Sequence, residues 1–205
     1  MISGLVLVII IEGLLSGTDL IPLNTAIEQV VVHVRSPILT SFLVLVTKLG
    51  NPFVFSVVTV LVAIFLASRG NHSDAVLFLT ALIISVISLT VLKNVFQISR
   101  PISDIYNADG WSFPSGHATV ATSFFFLISY VFFGKMRNVK QKTILIVGSI
   151  FTASLICFSR LYLGAHWTLD ILGGVALGLL SVSFTVLMFN LFFGGKRSVR
   201  KIINL

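Results

Sequence analysis

Ser159-Arg160-Leu161-Tyr162-Leu163-Gly164-Ala165-His166-Trp167-Thr168-Leu169-Asp170 places an arginine, a histidine and an aspartate in a short interruption between two apolar runs, each long enough to cross a bilayer. The apolar run that follows predicts a chain turning helical just before His166, which sets His166 and Asp170 four apart on one face. The carboxylate can then hold one ring nitrogen and leave the other with its lone pair free, as a positioned nucleophile or base requires. Arg160 supplies a fixed cation, and Gly164 allows the turn that brings it round. The same residues also read as an interfacial histidine beside a helix-capping aspartate, and the stretch alone leaves both readings open.

Working outward, 56% of the 205 residues are hydrophobic and only 10% are charged, with a mean hydropathy of +1.05. A soluble domain could not hide so much apolar surface, so the chain reads as an integral membrane protein. The formal net charge of +7 lies mostly in short loops between apolar runs, where it is a topology signal and not a nucleic-acid surface. Cys157 is the single cysteine, so no intrachain disulfide is available to it and its place in an apolar run reads as packing. The first run has neither a basic leader nor an Ala-x-Ala cleavage pattern, which predicts a retained helix. With no repeat, low-complexity tract or soluble appendage, residues 1–205 read as one membrane domain.

The predicted class is all-α, a polytopic membrane protein of six transmembrane helices with a short interfacial helix after the first. The spans fall at about 2–16, 53–68, 75–96, 115–133, 143–158 and 167–193. Glu12 interrupts the first. After Asp19, Pro22 and Asn24, the residues Ile27, Val30, Val31 and Val34 recur at helical spacing with Glu28, Gln29 and His33 opposite, which suits a helix lying in the interface. Pro37 to Lys48 is apolar but meets Gly50-Asn51-Pro52, which should break or kink a helix. An even number of spans puts both termini on one side, with Arg69, Lys135, Arg137, Lys140, Lys142, Lys196, Arg197, Arg200 and Lys201. Arg35, Lys48, Lys93, Arg100 and Arg160 fall on the other. Nine against five predicts cytoplasmic termini and an extracytoplasmic site in the cell membrane.

Two more polar clusters fall at the membrane level of the opening stretch. Lys93 and Arg100-Pro101 are two helical turns apart, so both lean toward one point if the helix persists that far. The plain alternative is a snorkelling lysine and a loop arginine. Pro114-Ser115-Gly116-His117 opens a span with residues suited to a helix start, where unpaired N–H groups and the positive dipole end favour an anion. An ordinary capped helix with an interfacial histidine is the alternative there. Gathered together, Lys93, Arg100, Arg160 and the Ser115 and Gly116 amides suit the oxygens of a phosphate monoester or diphosphate. Two histidines can then divide attack on phosphorus from protonation of the leaving oxygen.

Lys-x6-Arg-Pro, Pro-Ser-Gly-His and Ser-Arg-x5-His-x3-Asp, in this order from Lys93 to Asp170, resemble the three-part signature of the type 2 phosphatidic acid phosphatase, or lipid phosphate phosphatase, superfamily. The resemblance implies a six-helix membrane core with its active site at the outer face. It also implies that His166 is a nucleophile forming a phosphohistidine, that Asp170 orients it, and that His117 is the acid for the leaving alcohol and then the base for water. Lys93, Arg100, Ser115, Gly116 and Arg160 would bind the phosphate. The small size and compact loops look most like bacterial members acting on phosphatidylglycerophosphate or undecaprenyl diphosphate.

Of the seven carboxylates, Glu12, Asp19, Glu28, Asp74, Asp104, Asp109 and Asp170, only the last falls within the three clusters. A divalent-metal phosphatase needs several convergent carboxylates, so the expectation is a monomeric enzyme without metal or cofactor, its partners a lipid phosphate substrate and membrane lipids. The signature also resembles soluble vanadium haloperoxidases, which hydrophobicity excludes, and lipid phosphotransferases, which differ in the phosphoryl acceptor. A lipid-phosphate carrier is the reading from another class, and it gains little from an oriented second histidine. Acyl chains must stay in lipid while the headgroup reaches His166, so a lateral opening bordered by the Asn24 to Val34 segment is expected.

Overall fold

The computed structural model describes residues 2–16 and 21–193, and every regular element among them is an α-helix. In chain order these are α1 (Ile2–Ser16), α2 (Ile21–His33), α3 (Pro37–Leu49), α4 (Pro52–Ser68), α5 (His72–Phe96), α6 (Gly116–Phe133), α7 (Val139–Tyr162) and α8 (Thr168–Phe193). The four helices α5 to α8 are each long and apolar enough to cross a membrane, and α3 with α4 makes a fifth candidate span. At 15 residues, α1 is shorter than the roughly 20 of a typical span. Apolar side chains face outward as well as inward: Leu61 and Ile64 on α4, and Ile150 and Phe151 on α7, are exposed. That is how helices look when their solvent is lipid, and the chain is a multi-pass membrane protein.

Local chemistry explains the helix ends. Pro37 opens α3 behind a Ser36 cap, and Pro52 opens α4 behind Asn51, whose side chain accepts from Phe53 N. Between them the ladder fails: Asn51 N–H drops back to Lys48 O, and Pro52 has no N–H to offer. The two helices meet at 47°, so the predicted span 53–68 is preceded by a helix bent against it. The helix α5 ends at Phe96, with Gln97 in the left-handed region at φ 48. Arg100 therefore lies in the following loop and not two helical turns beyond Lys93.

The interruption between the last two apolar runs is shorter than the sequence suggests. Arg160 sits in the last turn of α7 and Asp170 in the first turn of α8, leaving residues 163–167 as the connection. Gly164, at φ +64, closes α7. Its N–H reaches Leu161 O at 3.0 Å while Ala165 N–H reaches Arg160 O at 3.0 Å, a paired closure that favours glycine in the left-handed position. A Cβ there would also crowd Ser103.

The helix α6 forms the centre, with α8 laid against it. A Cβ on Gly174 would stand 2.7 Å from Ser115 O, and one on Gly178 would stand 2.6 Å from Thr119 O. Only glycine at this four-residue spacing lets the two backbones approach so closely. Phe55, Phe78, Val120, Phe124 and Val182 fill the space between α4, α5, α6 and α8. Val31 of α2 is buried against Leu43, Tyr162 and Leu163, whereas Val30 and Val34 are exposed. Glu12 is exposed on α1, and His33 closes α2 with Nδ1 2.6 Å from Gln29 O. Asp19 and the basic residues Lys196, Arg197, Arg200 and Lys201 lie outside the described residues.

Candidate active site

All three sequence clusters come together at one end of the bundle, around the segment Trp111-Ser112. Lys93 Nζ donates to Trp111 O at 2.5 Å and Ser112 O at 3.3 Å. From the loop, Arg100 donates to Asp109 O, Gly110 O, Trp111 O and Ala165 O, the last at 2.7 Å. Its Nη1 also stands 3.1 Å from His166 Nε2. Lys93 and Arg100 thus converge on the Trp111 carbonyl although no common helix carries them.

His166 is 3% exposed and Asp170 2% exposed, with 3.3 Å between Nδ1 and Oδ2. The helix begins at Thr168, after His166, so the pair is not two positions on one helix. It closes because Asp170 is the third residue of α8 and reaches back: the same Oδ2 accepts Trp167 N–H at 2.8 Å. This is the acidic half of a capping box. Helix capping and histidine holding are therefore both done by one carboxylate. The tautomer follows from the partners. A guanidinium only donates, so His166 Nε2 carries the lone pair, and Asp170 only accepts, so Nδ1 carries the hydrogen. Burial lowers the His166 pKa to about 4 against the opposing pull of Asp170, which keeps the imidazole neutral at ordinary pH.

Ser112, fully buried, was invisible as a site residue in the sequence. Its hydroxyl donates to Asp170 Oδ2 and lies 3.3 Å from His166 Nδ1. Its backbone N–H is anchored on Ile98 O at 2.7 Å. The only available signal was its place two residues before Pro114, on the approach to the Pro-Ser-Gly-His turn.

Ser115 and Gly116 begin α6 as expected, but the Ser115 N–H donates to Asp170 O at 2.9 Å. It is committed to α8 and not directed at an anion. The Ser115 hydroxyl is buried without a partner among the described residues and makes no cap hydrogen bond, so Oγ is the Ser115 group left for a ligand. His117, in the first turn, has Nε2 3.2 Å from Thr47 O. A carbonyl only accepts, so His117 holds its hydrogen on Nε2 and its lone pair on Nδ1.

Arg160 is 2% exposed. Its Nη1 donates to Thr47 Oγ1 at 2.7 Å, the Tyr106 ring lies 4.8 Å from Cζ, and Nε has no partner among the described residues. No carboxylate of the described residues forms a salt bridge with it. A buried, unpaired charge is costly. For Arg100, burial and then the like charge of Arg160 pull the pKa below its ordinary value, while Asp170 opposes them. Buried Arg160 and half-buried Lys93 and Arg100 thus crowd one region, where Asp170 is the one buried acid among the described residues. Such a region favours an anion, and a tetrahedral oxyanion can take several charge-assisted donors at once.

The fold and sequence have close counterparts. The chain superposes on the crystal structure of a transmembrane PAP2 type phosphatidylglycerolphosphate phosphatase from Bacillus subtilis with a TM-score of 0.83, covering 96% of this chain and 98% of that one at 24% identity. It is 29% identical over 161 residues to phosphatidylglycerophosphatase B of Bacillus subtilis (strain 168), covering 77% of this chain and 78% of that protein. To an undecaprenyl-diphosphatase of Sulfolobus acidocaldarius it is 26% identical over 172 residues, 80% of this chain and 78% of that protein. Residues 74–193 match the family model described as PAP2 superfamily. Those residues carry all three motifs and every cation gathered around His166, and the chain belongs to the PAP2 superfamily.

Proposed function

We propose that this protein hydrolyses the terminal phosphate of a lipid phosphate or diphosphate through a phosphohistidine on His166. The observation that carries the proposal is the buried His166, with Nδ1–H held by Asp170 and Nε2 facing Arg100. A phosphate oxygen that takes over the Arg100 donor places phosphorus against the Nε2 lone pair. Nε2 attacks phosphorus and the bond to the lipid oxygen breaks. The substrate enters as its monoanion, whose P–OH proton passes to the Nδ1 lone pair of His117; the leaving oxygen then takes that proton from Nδ1, while Nε2–H stays on Thr47 O. Water then attacks the phosphohistidine, its proton passes to His117 Nδ1, the P–N bond breaks and the electron pair returns to Nε2. Lys93, Arg100, Arg160, the Ser115 hydroxyl and the Gly116 amide stabilise the transferring group.

Several finer features belong to the same proposal. Neutralisation by cations replaces a divalent metal, because no three His, Cys, Asp or Glu side chains converge among the described residues. The lysine and arginine bias of nine against five supports cytoplasmic termini and a site at the outer face. On that topology α1 is the first of six spans, α2 lies in the interface, and the Asn24 to Val34 segment borders the lipid entrance. Phosphatidylglycerophosphate, undecaprenyl diphosphate and phosphatidic acid are the substrates to test first, the first two because relatives bear those names.

The test is phosphate release by the purified protein in detergent from those three lipids, with EDTA present and His166→Ala beside it. The expected result is release without metal, an acid-labile phosphoprotein during turnover, and neither in the variant. Release surviving in His166→Ala, or requiring Mg2+ after chelation, would overturn the mechanism.

A further inference from the structure

The break between α3 and α4 does more than bend a span. In a continuous helix, Thr47 O would accept from the amide four residues on, at Asn51. Asn51 N–H goes instead to Lys48 O at 3.3 Å, and the next residue is Pro52. The Thr47 carbonyl is thereby left without an intrahelical donor, and a buried carbonyl needs one. His117 Nε2–H supplies it at 3.2 Å. Pro52 itself lies against Gly116, 3.6 Å from where a Cβ would stand, so the break abuts the turn that carries His117.

The Thr47 side chain also departs from the pattern of this protein. Thr59, Thr80, Thr90, Thr119 and Thr152 each donate their hydroxyl to the carbonyl four residues back, the usual resting place of a threonine inside a helix. The Thr47 hydroxyl receives Arg160 Nη1 at 2.7 Å, at a fully buried position. One residue, outside every motif, holds the proton-transfer histidine by its backbone and a phosphate-binding arginine by its side chain.

We infer that Thr47 is a positioning residue, which fixes His117 as the Nε2–H tautomer through its carbonyl and aims the Arg160 guanidinium through its hydroxyl. The roles of His117 and Arg160 rest on the function proposed above. The geometry around Thr47 does not. Because the hydroxyl acts only on Arg160, its loss weakens phosphate binding. The tautomer is a backbone property and survives a side-chain change.

The experiment compares full-length Thr47→Val and Thr47→Ser with the parent protein in detergent. Three quantities are read: affinity for inorganic phosphate by thermal shift, KM and kcat on phosphatidic acid, and the ring-nitrogen shifts of the four 15N-labelled histidines, with His117 assigned by His117→Gln. In Thr47→Val, phosphate affinity should fall and KM rise by about tenfold, with a smaller change in kcat. Thr47→Ser should recover most of the loss, and His117 should read as Nε2–H in the parent and in both variants. An unchanged phosphate affinity in Thr47→Val, equal losses in Val and Ser, or an Nδ1–H His117 in the parent would each overturn the inference. The phosphate and nitrogen measurements need no turnover. A protein that hydrolyses no lipid but loses phosphate affinity in Thr47→Val would sink the phosphatase reading and support this one.

Discussion

The two histidines are held in contrasting ways. His166 is held by neighbours in sequence: Asp170 follows it by four residues, and the carboxylate that caps α8 also fixes the ring. His117 is held across the molecule, by the carbonyl of residue 47 freed at a helix break, with Arg160 tied to the same residue. The first arrangement, the His166–Asp170 pair, is made by local backbone geometry at the start of α8, with Arg100 and Ser112 added to it from the loop between α5 and α6. The second exists only when α3, α6 and α7 are all docked. On the proposed mechanism, the distributed arrangement ties proton transfer by His117 to the packing of the bundle.

The contrast can be broken first at Asp170. Asp170→Asn keeps the shape but can present the wrong partner to Nδ1, and kcat should fall by roughly 10^3 to 10^4, read as phosphate release. Turnover near that of the parent would leave Asp170 with its capping role alone. At the other histidine, His117→Ala should lower lipid turnover by about 10^2 to 10^4. An aryl phosphate, whose leaving oxygen needs no proton, should still phosphorylate His166 in that variant and accumulate as phosphoprotein. An equal block on both substrates would remove the acid role from His117.

Smaller changes sharpen the comparison. Ser112→Ala removes a hydrogen bond to a buried carboxylate and should cost about tenfold or more in kcat/KM, without altering the His117 ring-nitrogen shifts. Gly174→Ala forces a Cβ to 2.7 Å from Ser115 O, where the neighbour is backbone and cannot swing aside. It should destabilise by about 1–3 kcal/mol and damage both halves together, because the Ser115–Asp170 bond crosses the same seam. A normal Tm with normal kcat would show that the seam can shift freely. The smallest effect is a pH slope. His166 titrates at its ordinary 6.5 when unfolded and at about 4 when folded. Between those values the unfolded chain binds the proton that the folded chain refuses, so stability falls as pH drops from 6.5 toward 4. The apparent Tm should decline across that window, less steeply in His166→Asn.

Much of the site was legible because its residue types are costly in a membrane and recur at set spacings. Lys93, Arg100, His117, Arg160, His166 and Asp170 are charged or titratable groups beside apolar runs, and each has a contact in the folded chain that accounts for it. Ser112 and Thr47 were not legible. A serine in a loop and a threonine in an apolar helix are unremarkable one at a time, and only contacts 58 and 113 residues away in sequence distinguish them. The expected use of the Ser115 amide failed for a related reason, since α8 already takes that N–H.

Composition alone determined that the chain lives in lipid, since burying so many apolar residues in water-facing packing is impossible for its size. The motif order determined the chemistry to look for, and glycine and proline marked where helices had to stop. Tertiary structure alone decided which donors remain for a ligand, because a hydrogen bond is saturable and its competitors come from other helices. It also decided that the break at Gly50-Asn51-Pro52 frees a carbonyl for His117. A sequence shows that an amide is missing from the ladder but not which side chain will arrive to replace it.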